Sequence, residues 1–154
     1  MNALFDACCG LMQFVGRTFG FSYKEICVIG NLYVQGGILW LLGIAAAIEG
    51  GRLLRRADAR LDKGLSIGGI LDGVVSTALF AWLAVHYRGG AEAAFDRCVD
   101  DLLQLAARLR ITYQELNILI FVVGFLAVLA LQLALLLAIR RARRTAGAGG
   151  PSRV

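Results

Sequence analysis

Charge is scarce in this chain, and so are the residues that hold metals. Only 18% of its 154 residues are charged, where an ordinary globular domain carries roughly a quarter. With 58% hydrophobic residues and a mean hydropathy of +0.70, that excludes an ordinary soluble domain. A single histidine, with Cys8, Cys9, Cys27 and Cys98 showing no C-x-x-C spacing, does not complete a zinc site of ordinary type. There is no P-loop, no G-x-G-x-x-G in a strand–helix setting, no G-x-S-x-G and no paired-carboxylate cluster within the apolar runs. No enzyme, cofactor or metal is therefore expected. Met1–Gly20 lacks a basic start and a small-x-small cleavage site, so no signal peptide is read there. Phe-Asp-Ala before Cys8 is a poor context for lipidation.

What the chain has instead is apolar length. Crossing a hydrocarbon core takes about 20 apolar residues, and three runs supply them: Ile26 to Ile48, Leu65 to Val85, and Leu116 to Ile139. The fold class that follows is an all-α membrane protein of three transmembrane helices. The whole chain, 1–154, reads as one membrane domain that ends in a basic, disordered tail over 140–154.

Basic residues set the orientation. Arg52, Arg55, Arg56, Arg60 and Lys63 lie between the first two runs, and Arg140, Arg141, Arg143, Arg144 and Arg153 follow the third. Arg17 and Lys24, and then Arg88, Arg97, Arg108 and Arg110, lie on the other side, the latter among Glu92, Asp96, Asp100, Asp101 and Glu115. Positive-inside counting places the 49–64 loop and the tail in the cytoplasm and the N-terminus outside. The expected location is a bacterial inner membrane. The net charge of +5 sits at the ends of apolar runs, which points to lipid rather than nucleic acid. The four tail arginines Arg140, Arg141, Arg143 and Arg144 read as a lipid-headgroup anchor.

Shifting the chain by 90 residues aligns it with itself. Phe5/Phe95, Asp6/Asp96, Cys8/Cys98, Tyr23/Tyr113 and Glu25/Glu115 are identical. Apolar matches can arise from membrane composition alone, but polar ones in register point to a duplication, with units 4–48 and 94–139 around a middle span 65–85. Each unit opens on an amphipathic interfacial helix, its stripe being Phe5, Cys8, Met12, Val15 and Phe19 in one and Phe95, Cys98, Leu102, Leu105 and Leu109 in the other. Each then has a capping box, Ser22 with Glu25 and Thr112 with Glu115. Tyr23 and Tyr113 fall at interface depth. A cap plus an anchor explains this motif without a ligand. Cys8 and Cys98 occupy equivalent positions and have the option of a disulfide, but their apolar stripes favour packing.

Asp72 is the one ionisable residue inside an apolar run. It lies roughly 10 Å in from the cytoplasmic side and needs partners there, or it stays protonated. Gly69, Asp72, Gly73 and Ser76 share one helix face, and the Gly69/Gly73 spacing allows close helix packing. Asn31 and Gln35 lie roughly 7 and 13 Å below the outer edge, and Gln132 roughly 24 Å below it. Asp72, Asn31, Gln35, Ser76 and Gln132 are thus a candidate polar seam. Its roles are helix packing or an ion or proton site. His86, beside Trp82 and Tyr87, reads as an interface residue.

Two functions stand against each other. One is a non-enzymatic subunit or scaffold that forms homo-oligomers or joins other membrane subunits. The other is a pore or ion conductor built on the seam around Asp72. In outline the chain resembles the three-span phage holins, on three spans, N-out/C-in topology, small size and the tail Arg140, Arg141, Arg143 and Arg144. That resemblance is one of topology, covers no specific motif and implies a pore; a duplication is not expected of a holin.

Overall fold

The computed structural model describes residues 2–55 and 60–148. Arg56 and residues 149–154 of the expected tail lie outside them. The regular elements among the described residues are all helical: α1 (Asn2–Phe19), α2 (Tyr23–Leu54), α3 (Arg60–His86), α4 (Ala91–Leu109) and α5 (Tyr113–Ala146, with a last turn to Ala148). The helices α2, α3 and α5 are long and apolar enough to cross a membrane.

The long helices outrun their apolar segments. Most of the segment expected as a cytoplasmic loop is helix, since α2 continues to Leu54 and α3 begins at Arg60. The basic segment from Arg140, expected as a disordered tail, is helical through Ala148. Arginine, alanine and leucine are strong helix formers, so a helix already started extends through them. The Thr145 hydroxyl also donates to the Ala142 carbonyl at 2.8 Å.

The chain forms two compact units. The first comprises Met1–Gly37 and Trp82–Ala127, and the second Ile38–Ala81 and Val128–Val154.

In the first unit the same local structure occurs twice. Helix α1 gives way to Gly20 at φ 75°, and Phe21 N–H donates back to the Gly16 carbonyl at 2.8 Å. Helix α4 gives way to Arg110 at φ 58°, and Ile111 N–H donates to the Ala106 carbonyl at 3.1 Å. Both are left-handed helix ends closed by a six-to-one bond. Two residues later each chain segment restarts on a full capping box. Ser22 Oγ accepts from Glu25 N–H at 3.2 Å while Ser22 N–H donates to Glu25 at 2.7 Å. Thr112 and Glu115 repeat this at 3.2 and 2.9 Å. Beyond each cap the helix widens into a π-helical stretch, Val28–Val34 in α2 and Leu119–Gly124 in α5.

Two core clusters hold this unit: Val28, Leu32, Tyr87 and Ala94, and Leu102, Ala106 and Leu116. The packed face of α4 differs from the expected stripe. Leu105 and Leu109 are exposed, as is Phe19 on α1, whereas Ala94 and Ala106 are buried. Small side chains at these positions let α4 approach its neighbours closely. A tight turn, with Gly89 and Gly90 at φ 113° and 93°, joins α3 to α4. Arg97 ties it down, donating to the carbonyls of His86 and Arg88 at 2.8 Å each.

The second unit is packed through glycine. A Cβ on Gly69 would lie 2.6 Å from the Ala46 carbonyl oxygen, and one on Gly73 would lie 2.8 Å from that of Gly43. On the facing helix, Cβ atoms on Gly43 and Gly50 would collide with Ser76 and with the Ser66 carbonyl. Helices α2 and α3 thus touch backbone to backbone. Ala46, Leu53 and Ile139 are fully buried around this contact. Just past the first apolar run, Glu49 is a second acid drawn into the packing. It is buried on α2 and pairs with Arg52 at 3.1 Å and Arg143 at 2.6 Å. Arg143, expected at lipid headgroups, therefore has a carboxylate partner inside the chain.

Candidate functional site

Each unit contains a polar feature, and the residues expected to form one seam divide between them. In the second unit Gln132, only 4% exposed, brings its side-chain amide to Asp72 Oδ1 at 3.1 Å, Asp72 Oδ2 at 3.3 Å and Ser76 Oγ at 3.0 Å. Ser76 sits beneath Gly43, where a Cβ would come within 2.6 Å of its hydroxyl oxygen. A glycine on α2 therefore makes room for the polar cluster between α3 and α5. The amide's other end, Gln132 Oε1, is buried with no hydrogen-bond partner among the described residues. Beside the cluster, Trp40 Nε1 donates to Thr77 at 3.2 Å and the indole stacks on Phe80. An amide, a carboxyl and a hydroxyl joined in this way can link helices or hold a proton.

Asn31 and Gln35 belong to the first unit, where they line a cavity of about 230 Å³. Its walls come from both copies of the repeated local structure. Phe5 meets Tyr113 edge to face at 6.1 Å, and Phe95 meets Tyr23 edge to face at 6.0 Å. The two contacts match: Phe5 of α1 packs on the tyrosine that starts α5, and Phe95 of α4 packs on the tyrosine that starts α2. The π-helical stretches contribute Val28, Asn31 and Leu32 from α2 and Phe121 and Val122 from α5. A π turn holds an extra residue and alters which side chains face inward, and such turns gather at functional sites. Nothing in residue spacing announces them, and they were missed in the sequence.

Polar groups enter this cavity singly. The Tyr23 hydroxyl donates to Cys9 Sγ at 3.3 Å, and the Tyr113 hydroxyl accepts from Asn117 at 3.5 Å. Cys8, Cys9, Cys27 and Cys98 line it as free thiols. No lysine, arginine, histidine, aspartate or glutamate is among its lining residues. Burial pushes the Cys98 thiol up to about 11, and the Asp101 carboxylate adds to the shift. Burial and a hydrogen bond to the same Asp101 hold the Tyr87 hydroxyl above the ordinary phenol range. Asp101 accepts from Tyr87 at 3.0 Å and lies 3.1 Å from His86, which stacks on Trp82. His86 therefore sits in an aromatic cluster at the surface of the unit.

The caps carry no ligand geometry of their own; Ser22, Glu25, Thr112 and Glu115 satisfy one another. Among the described residues no group of three or more histidine, cysteine, aspartate or glutamate side chains is arranged to hold a metal. Comparison with protein-family models, curated proteins and solved structures finds no match to this chain.

Proposed function

We propose that this chain is a non-enzymatic, three-span protein of a bacterial inner membrane, with its N-terminus outside and its C-terminus in the cytoplasm. Its role on this reading is that of a subunit that forms oligomers or joins a larger membrane complex. The outer faces of the long helices support insertion: Val74, Val75 and Leu131 are 60%, 62% and 70% exposed, and water does not tolerate such a continuous apolar surface. The charge distribution supports the orientation.

The observation that carries the subunit reading is the reciprocal pair Phe5–Tyr113 and Phe95–Tyr23. It supports an internal duplication of units 4–48 and 94–139, as does the recurrence of left-handed end, capping box and π turn at an offset of 90. Repeated helical elements that pack on one another through matching contacts favour a structural role, and the glycine-packed second unit adds no catalytic group. Native mass spectrometry after extraction in native lipid discs tests this: assemblies heavier than the 16.6 kDa chain are expected, and a single unaccompanied chain would overturn it.

Ion conduction is the second reading, favoured by one observation, the unpartnered Gln132 carbonyl beside Asp72. Flux through proteoliposomes that Asp72→Asn abolishes would establish it. Absence of flux in wild type and variant alike, with assembly intact, would leave Asp72 as a helix-linking group.

A further inference from the structure

The cavity of the first unit has properties that neither packing nor assembly requires. Its volume of about 230 Å³ exceeds the roughly 150 Å³ of an engineered cavity that takes up benzene. Its lining lacks charged side chains, so a charged occupant would lose its hydration without compensation. Edge-to-face aromatic pairs stand on two sides, with Phe121 from a π turn, which suits the face and edge of a flat ring.

Hydrogen-bonding capacity is left over. The side-chain amides of Asn31 and Gln35 make no hydrogen bond among the described residues, and the Tyr113 hydroxyl accepts from Asn117 but donates to nothing among them. All three residues are half-buried, so these donors are free to take a partner in the cavity. They are arranged as an apolar pocket with a few polar groups, the usual composition of a small-molecule site.

We propose that this cavity binds a neutral, lipid-soluble, flat conjugated ring bearing carbonyl hydrogen-bond acceptors, of the size and chemistry of a substituted benzoquinone head group. The aromatic pairs hold the ring, and Asn31, Gln35 and Tyr113 donate to its carbonyl oxygens. An ion, a sugar or a nucleotide does not fit these walls. An acyl chain fills the volume but leaves the donors unused.

The test uses the full chain in lipid nanodiscs and duroquinone as the probe. Its four alkene carbons all carry methyl groups, so the cavity thiols have no unsubstituted alkene carbon to add to. Durene, the same ring without carbonyls, and a charged anthraquinone sulfonate are the comparison ligands. Titration calorimetry is expected to show saturable binding of duroquinone, at least tenfold weaker binding of durene and none of the sulfonate. Met12→Trp, which fills the cavity, is expected to abolish binding, with Val122→Phe as a second filling variant should the first fail to fold. Asn31→Leu is expected to weaken duroquinone about tenfold and leave durene unchanged. Equal binding to wild type and to a folded filling variant would overturn the proposal. So would equal affinity for duroquinone and durene, or a phospholipid retained in the cavity of the native protein that duroquinone does not displace.

Discussion

The two units solve the same problem, joining apolar helices, with opposite side chains. In the second, glycines at 43, 50, 69 and 73 remove side chains from the contact and bring backbone against backbone. In the first, rings at 5, 23, 95 and 113 meet edge to face around a cavity that they help to line. Close packing by glycine brings α2 and α3 into backbone contact, so the second unit is built as a strut. Aromatic packing, with helices widened by π turns, leaves volume. The difference gives one unit a backbone-to-backbone contact and the other a cavity.

The largest effect that separates them is expected at Gly73. Gly73→Leu puts a branched side chain where even a Cβ meets Ala47 at 2.5 Å and the Gly43 carbonyl at 2.8 Å. Overpacking against backbone that cannot move should cost about 3 kcal/mol, read as a lower midpoint of unfolding in mixed micelles. Gly37→Leu, where a Cβ meets nothing within 4 Å, should cost none of this. Equal losses would break the contrast.

Next comes the reactivity of the first unit's thiols. In a chain whose only cysteine is Cys98, alkylation at pH 8 should run about a hundredfold slower than at an exposed cysteine, because the thiolate is the reacting form and burial holds this thiol near 11. The folded state favours the protonated thiol, so the rate should climb about tenfold per pH unit up to about pH 11 rather than level off near 8.5. A plateau near 8.5 would show that the cavity wall is open to water.

Smaller and matched effects are expected at the caps. Ser22→Ala and Thr112→Ala should each cost about 1 kcal/mol in the same unfolding assay, and a large imbalance would mean that the two copies are not energetically alike. The smallest effect is at the left-handed ends. Arg110 holds φ 58° where its counterpart is Gly20 at φ 75°, so Arg110→Gly should stabilise by up to about 1 kcal/mol, and Gly20→Arg should destabilise by a similar amount.

Much of this was written locally in the sequence. Ser22-x-x-Glu25 and Thr112-x-x-Glu115 specify their own hydrogen bonds over three residues, so their geometry is legible without tertiary information. Depth along ideal helices brings Ser76, Asp72 and Gln132 to neighbouring levels, and these are joined in the second unit. The same arithmetic did not separate Asn31 and Gln35 from them, because a π turn rotates residues off ideal spacing. Glu49 was hidden for another reason. It follows the apolar run, and only the helix's continuation to Leu54 turns it inward to Arg143. Gly43 and Gly50 were readable through Gly43/Ala47 and Ala46/Gly50, each a small pair four residues apart.

Insertion and orientation underlie everything proposed, and single-cysteine labelling tests them most directly. Arg17→Cys and Thr145→Cys, each in a cysteine-free chain, are exposed to a membrane-impermeant maleimide in intact cells and again after permeabilisation. The account predicts labelling of position 17 in both conditions and of position 145 only after permeabilisation. Labelling of 145 in intact cells, or protection of 17, would contradict it.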